Sequence, residues 1–240
     1  AGKAHALALD HNGQLWAITA KGENPGEGAV IVPDLPPIRR VACGERLTFA
    51  EDDQSDIWVW EENTSDPQLG RAILKPTKIP TRGLRGPLSN MVTCGNMLVL
   101  LDSDGVVWTE QEESGFQPKA GLNCVVSLAA GQSHVIAVEV NGDVMGWGSN
   151  RERQLGLEYC GTTDRPLKLP AGPAMAVAAG YLCSYVQVAD GSIVVTGANY
   201  CGQLGLGDYS SRWGFTSLGL QPAFSGKKAK SARSAIWSGE

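Results

Sequence analysis

Short apolar runs alternate with polar turns along the whole chain. Ala6-Leu7-Ala8-Leu9, Leu98-Val99-Leu100-Leu101 and Val135-Ile136-Ala137-Val138 read as strands, and no convincing amphipathic helix stands out. Asn12-Gly13, Asp104-Gly105, Asn141-Gly142 and Asp190-Gly191 occupy the matching turns. Asn-Gly and Asp-Gly pairs supply the positive φ angles that tight hairpins require. A second short strand is predicted after each turn: Gln14 to Ile18, Val106 to Thr109, Val144 to Trp147 and Ser192 to Thr196. One hairpin departs from the rule. Asp52-Asp53-Gln54-Ser55-Asp56 holds no glycine, which predicts a longer acidic loop before a strand from Ile57 to Trp60.

The pattern repeats in register. Ala129-Ala130-Gly131 returns 49 residues later as Ala178-Ala179-Gly180, Gly148-Ser149-Asn150 as Gly197-Ala198-Asn199, and Gln154-Leu155-Gly156-Leu157 as Gln203-Leu204-Gly205-Leu206. Aligning on the step from a small residue to glycine gives starts at Gly2, Gly44, Gly95, Gly131 and Gly180. A period near 50 residues points to a ring or stacked array of small β-units. The expectation is a single domain over residues 1–240, an all-β propeller of about five four-stranded blades. A closing strand near 226–237 completes the first blade, because Ala229 to Trp237 matches Leu128 to Ile136. The rival reading is a fragment of a longer array. Lys75 to Pro87, rich in Pro, Gly, Arg and Thr, is expected to be a surface loop.

Composition narrows the function classes. The 240 residues include 30 glycines, against a usual share of about 7%, and these recur at fixed repeat positions as turn chemistry. A formal net charge of −5 argues against a surface that binds nucleic acid by charge alone. No apolar run approaches the ~20 residues of a membrane span, so no membrane insertion is expected. Six cysteines form no C-x-x-C pair, so zinc ribbons and disulfide frameworks are not expected, and the compartment reads as reducing. Cys43 and Cys94 sit where later repeats have Ala130 and Ala179, as small buried residues.

The string Ala129-Ala130-Gly131-x-Ser133-His134, followed by Asn141-Gly142-Asp143-Val144-x-Gly146-Trp147-Gly148-x-Asn150-x-x-x-Gln154-Leu155-Gly156, resembles the repeat of the regulator of chromosome condensation family. The likeness is strong over 124–208, fair over 1–20 and 38–70, and weak over 88–116. It implies a β-propeller with four-stranded blades. The family's usual ring has seven blades, which leaves open a five-bladed ring or an incomplete one here. Members act as guanine nucleotide exchange factors for small GTPases such as Ran, as chromatin-bound proteins, or as interaction domains in larger signalling and ubiquitin-ligase proteins. No counterpart of the β-wedge of the Ran-exchange members is found.

No catalytic constellation emerges. Ser133 and His134 are neighbours on a strand and point to opposite faces. There is no G-x-S-x-G elbow, no phosphate-binding G-x-x-x-x-G-K-[ST] loop and no metal-ligand spacing, so no cofactor or metal is expected. His5 and His134 share a repeat position and are read as bonding backbone in a neighbouring loop. Trp16, Trp58, Trp108 and Trp147 are read as blade packing, whereas Trp213 is placed in a loop as an exposed contact.

The expected function is a protein-interaction propeller, in its narrower form a monomeric regulator of a small GTPase by nucleotide exchange, in the cytoplasm or nucleus. Asp52, Asp53, Asp56, Glu112, Glu113, Arg151 and Trp213 are the expected partner contacts. Glu51, Glu61, Glu62 and Glu110 extend the same acidic group, while Arg39, Arg40 and Arg46 lie within reach of a partner. Lys227, Lys228 and Lys230 form a basic tail suited to phosphate or localisation, the basis of a chromatin-binding alternative. The other alternative is a non-catalytic adaptor.

Overall fold

A computed structural model describes residues 6–18, 29–63, 72–73, 75–84, 86–111 and 115–219. The chain divides into two compact units, Ala1–Val125 and Val126–Glu240.

The first unit carries three sheets. Strands β1 (Ala6–Leu9), β2 (Leu15–Ile18) and β3 (Ala29–Ile31) form the first. The second holds β4 (Ile38–Cys43), β5 (Leu47–Asp52), β6 (Ile57–Asn63), β7 (Ala72–Ile73) and β8 (Thr77–Ile79), with β7 and β8 both on β6. The third is β9 (Leu88–Cys94), β10 (Met97–Asp102), β11 (Val107–Gln111) and β12 (Gly115–Pro118). The second unit carries two four-stranded meanders. One is β13 (Val125–Ala130), β14 (His134–Glu139), β15 (Val144–Ser149) and β16 (Thr162–Lys168); the other is β17 (Ala174–Ala179), β18 (Cys183–Val188), β19 (Ile193–Gly197) and β20 (Arg212–Ser217). These five antiparallel sheets are the blades of the expected all-β propeller class. The closing strand anticipated at 226–237 lies outside the described residues, as does His5.

The second to fifth blades begin one strand earlier than the sequence repeat, because the repeat glycine (Gly44, Gly95, Gly131 or Gly180) lies in the turn between their first and second strands. That glycine is a packing requirement. A Cβ on Gly44 would stand 2.4 Å from the Gly95 carbonyl oxygen, and one on Gly131 2.3 Å from that of Gly180. Successive blades within a unit therefore interlock step against step. Cys43 and Cys94, beside two of these glycines, are half-buried and form no disulfide, and burial pushes Cys94 up to about 11.

In the second, third and fourth blades the second strand is the most deeply buried. Every residue of β14 is buried, as is β10 after Met97 and β5 after Leu47. Burial on both faces explains why Leu98 to Leu101 and Val135 to Val138 read as unbroken apolar runs, while β5 buries Thr48, Glu51 and Asp52 among its apolar residues. In the first unit, Ile38, Ala50 and Trp60 pack with Leu15 and Ala17, and Phe49 and Ile57 pack with Met91, Leu98 and Leu100. In the second, Ile136, Val138 and Leu155 pack with Ala174 and Val186. At the hairpin end, the glycine of one blade receives the first amide of the next: Ile38 donates to Gly13 and Ala174 to Gly142, each at 2.8 Å.

The hairpin without glycine is not longer than the others. Asp52 and Asp56 close it with Ser55 in the positive-φ position (67°), as Asp102 and Val106 do around Gly105 (83°). Lys75 to Pro87 is not wholly loop, since Thr77–Ile79 is the outer strand β8. Likewise Trp213 lies on β20 rather than in a loop.

Candidate functional site: a partner-binding surface on the fourth and fifth blades

The repeat motif Gly-x-Asn-x-x-x-Gln-Leu-Gly builds two rigid loops on the second unit. Gly148 and Gly197 open them at φ 95° and 107°, where a Cβ would stand 2.4 Å from the Ser133 oxygen and 2.5 Å from the Leu182 oxygen. Asn150 is fully buried. Its amide donates to the Leu157 oxygen (3.0 Å) and the Tyr159 oxygen, while its Oδ1 accepts from the Leu155 amide at 3.0 Å. Asn199 repeats the arrangement, donating to the Asp208 and Ser210 oxygens at 2.8 and 3.2 Å and accepting from Leu204 at 2.9 Å. Gln154 and Gln203 each accept a backbone amide at 2.9 Å. Side-chain amides thus replace the missing sheet ladder, and Leu155 and Leu204 plug the core beneath. The residue after each Asn, Arg151 and Tyr200, points outward.

The first loop rests on the fifth blade. Ser184 Oγ donates to the Gln154 oxygen (2.6 Å) and Thr196 Oγ1 to the Arg153 oxygen (2.9 Å). Tyr200 donates its hydroxyl to Glu152 at 2.6 Å, and that bond raises the Tyr200 pKa. The Arg153 guanidinium lies 5.3 Å from the centre of the Trp213 ring, within cation–π range, and also donates to the Leu157 oxygen at 3.2 Å. Asp208 pairs with Arg212 at 2.6 Å, and the Arg212 bond holds its carboxyl below the usual range. The tips stay in solvent: Tyr200 is 65% exposed, Trp213 73% and Tyr209 74%.

Arg151 and Trp213, both expected from sequence, therefore fall on this surface. Arg153, Tyr200 and Tyr209 were missed. A usable signal exists for Tyr200, which stands 49 residues after Arg151 at the same repeat position.

The acidic group on the first unit fares differently. Asp52 is 2% exposed and is withdrawn from the contact set: its Oδ1 caps the Gln54 and Asp56 amides, and its Oδ2 accepts the Trp58 indole N–H at 2.9 Å. Glu51 is buried against Arg40, Asp56 pairs with Lys78, and Glu61 pairs with Arg46. Three acids of the group are thus paired from within, two of them by Arg40 and Arg46. Asp53 remains exposed. Glu112, Glu113, Lys227, Lys228 and Lys230 lie outside the described residues.

His134 is fully buried. It bonds a hydroxyl, Ser184 Oγ at 3.0 Å, in addition to the backbone at Cys183. Among the described residues no group of three or more His, Cys, Asp or Glu is placed to hold a metal ion, and no helix is long and apolar enough to cross a membrane.

The class these blades define is the β-propeller. The particular type follows from comparison: residues 125–154 match the regulator of chromosome condensation (RCC1) repeat, which spans β13 to Gln154. The resemblance seen in the motif holds there, and the chain carries an RCC1-type repeat over these residues. Human HERC4, a probable E3 ubiquitin-protein ligase, is 40% identical over 93 residues, 37% of this chain and 9% of HERC4. Human WBSCR16 superposes with a TM-score of 0.72 at 16% identity, covering 91% of this chain and 66% of that one. Prp20p from Saccharomyces cerevisiae gives 0.67 at 20% identity, covering 90% and 61%. The chain therefore spans only a small part of HERC4 and less than two thirds of these propellers.

Proposed function

We propose that this chain is a protein-binding propeller without covalent chemistry of its own, and that the loops of its fourth and fifth blades carry the contact. The observation behind this is the exposed set of Arg151, Tyr200, Tyr209 and Trp213 on bonded loops, with Tyr200 held by Glu152 and Trp213 stacked by half-buried Arg153. Tyr, Trp and Arg are the residue types that dominate binding energy at interfaces, above all when held rigid beforehand.

Its narrower form is regulation of a small GTPase by nucleotide exchange, in which propeller loops press on the nucleotide site of the partner and loosen the bound nucleotide. Support comes from the shared fold of Prp20p, whose structure is described with its binding properties to Gsp1p and histones. Arg151 and Trp213 are the contacts proposed for that role on this surface; Asp53, Asp56, Glu112 and Glu113 on the first unit are a separate proposal. An adaptor role inside a larger chain draws support from the local identity to HERC4. Action in the cytoplasm or nucleus, and chromatin contact through Lys227, Lys228 and Lys230, belong to the same proposal.

One experiment separates these readings. Wild-type protein and the triple variant Arg151→Glu, Tyr200→Ala, Trp213→Ala are used to capture partners, and then added in catalytic amounts to a panel of GTPases loaded with fluorescent nucleotide. Binding lost at least tenfold in the variant supports the surface. Accelerated nucleotide release by wild type alone supports exchange, and capture without acceleration leaves the adaptor. A variant that retains every partner overturns the site.

A further inference from the structure

Resting on the protein-binding reading, we propose that the strip running from Tyr209 through Tyr200 and Arg153 to Trp213 docks a proline-rich segment of the partner in polyproline II conformation. Local contacts tie its residues to the two loops, and two of them, Tyr200 to Glu152 and Arg153 to Trp213, cross from one blade to the next. The Tyr209 ring lies over Gly202, 3.5 Å from where a Cβ would stand. Two residues before Gly202, Tyr200 bonds Glu152, and the next residue, Arg153, stacks on Trp213. Each of the three rings is at least 65% exposed.

Charge decides what kind of partner fits. Over 150–165 and 199–212 the loops contribute Arg151, Arg153, Arg165 and Arg212 against Glu152, Glu158, Asp164 and Asp208, four of each sign. Several are already bonded internally: Glu152 to Tyr200, Asp208 to Arg212, and Arg153 to the Leu157 carbonyl. A strongly acidic or basic segment meets no net field here, whereas a neutral one suffers no penalty. What the strip offers is flat apolar ring faces together with N–H donors at Arg151 and Trp213.

A polyproline II segment is complementary to that set. It has no internal hydrogen bonds, so its carbonyls are free acceptors, and its pyrrolidine rings stack on aromatic faces. It is extended and stiff before binding, and the receiving loops are stiffened by Asn150, Asn199, Gln154 and Gln203. Little conformational freedom is left to lose on either side.

The test is calorimetric titration of the whole purified chain with a ten-residue oligoproline peptide, against Gly-Ser and Glu-rich peptides of equal length. Saturable binding of oligoproline alone is expected, weakened at least tenfold in Tyr200→Ala and in Trp213→Ala and unchanged in Val30→Ala on the first unit. Tyr209→Ser provides a third reading should either alanine variant melt early. The proposal is overturned if wild type does not bind oligoproline, binds the other peptides as well, or binds equally after the strip is altered. Should the triple variant lose its captured partners while oligoproline fails to bind, only this inference falls and the protein-binding reading stands.

Discussion

Ser55 takes the φ of 67° that glycine takes in neighbouring hairpins. An L side chain in that region costs roughly 1–2 kcal/mol, part of which glycine would return as lost chain entropy. Ser55→Gly is expected to stabilise the chain by about 0.5–1 kcal/mol in urea unfolding, and a loss of stability would refute the strain. His134 makes the opposite kind of case, a strained protonation state. The Ser184 hydroxyl donates to Gln154, so it accepts from His134 Nε2–H, and Nδ1 is left against Gly131 with no described partner. Burial pulls its pKa from 6.5 down to about 4. Between those values the unfolded chain binds the extra proton and the folded chain does not. The His134 contribution is therefore full above pH 6.5 and declines as pH falls toward 4, by on the order of 3 kcal/mol. Comparing stability at pH 7 and pH 4 in wild type and His134→Gln checks this: the variant should show the smaller drop, and equal drops would refute it.

Elements differ in how plainly the sequence announces them. Hairpins were legible, because buried second strands need unbroken apolar runs and tight turns need Asn-Gly or Asp-Gly; β1, β10 and β14 fell where those signals stood. Outer strands were not. Thr162–Lys168 and Arg212–Ser217 bury no continuous face, so no periodicity marks them, and Trp213 reads as a loop residue. Another device hides in spacing. Asp52 and Asp102 each cap their own turn and receive the indole of the Trp six residues on, at 2.9 and 2.8 Å. Asp10 caps the same turn of the first blade, and the backbone bond from Gln14 is the main reason its carboxyl is acidified. Read without that geometry, Asp52 is one more acid on an acidic loop. The binding surface was half legible for a related reason. Arg151 and Trp213 advertise themselves by type, whereas Tyr200 and Tyr209 acquire meaning only once Asn199 has fixed the loop that lifts them into solvent.

Among the described residues, the larger apolar clusters are shared between successive blades, and the fifth blade adds a small one of its own around Cys183, Val195 and Leu204. Within each unit the three larger clusters lie between successive sheets, so a sheet is buried through its inner strands and left in solvent at its outer one. Stability should then fall from the inside of every blade outward, since segments with few buried contacts open at lower free energy than the core. Native-state hydrogen exchange makes the gradient measurable. Amides of Val99 and Leu100 on β10 and of Ile136 to Val138 on β14, all 0% exposed, should exchange last, near the rate set by global unfolding. Amides of β16 and β20, whose side chains are mostly half-exposed or exposed, should exchange first although they too belong to the hydrogen-bonded ladders. Protection that is uniform across the four strands would mean that each blade unfolds as one body. That outcome would contradict the view that neighbouring sheets, rather than the ladder within a sheet, supply most of the stability.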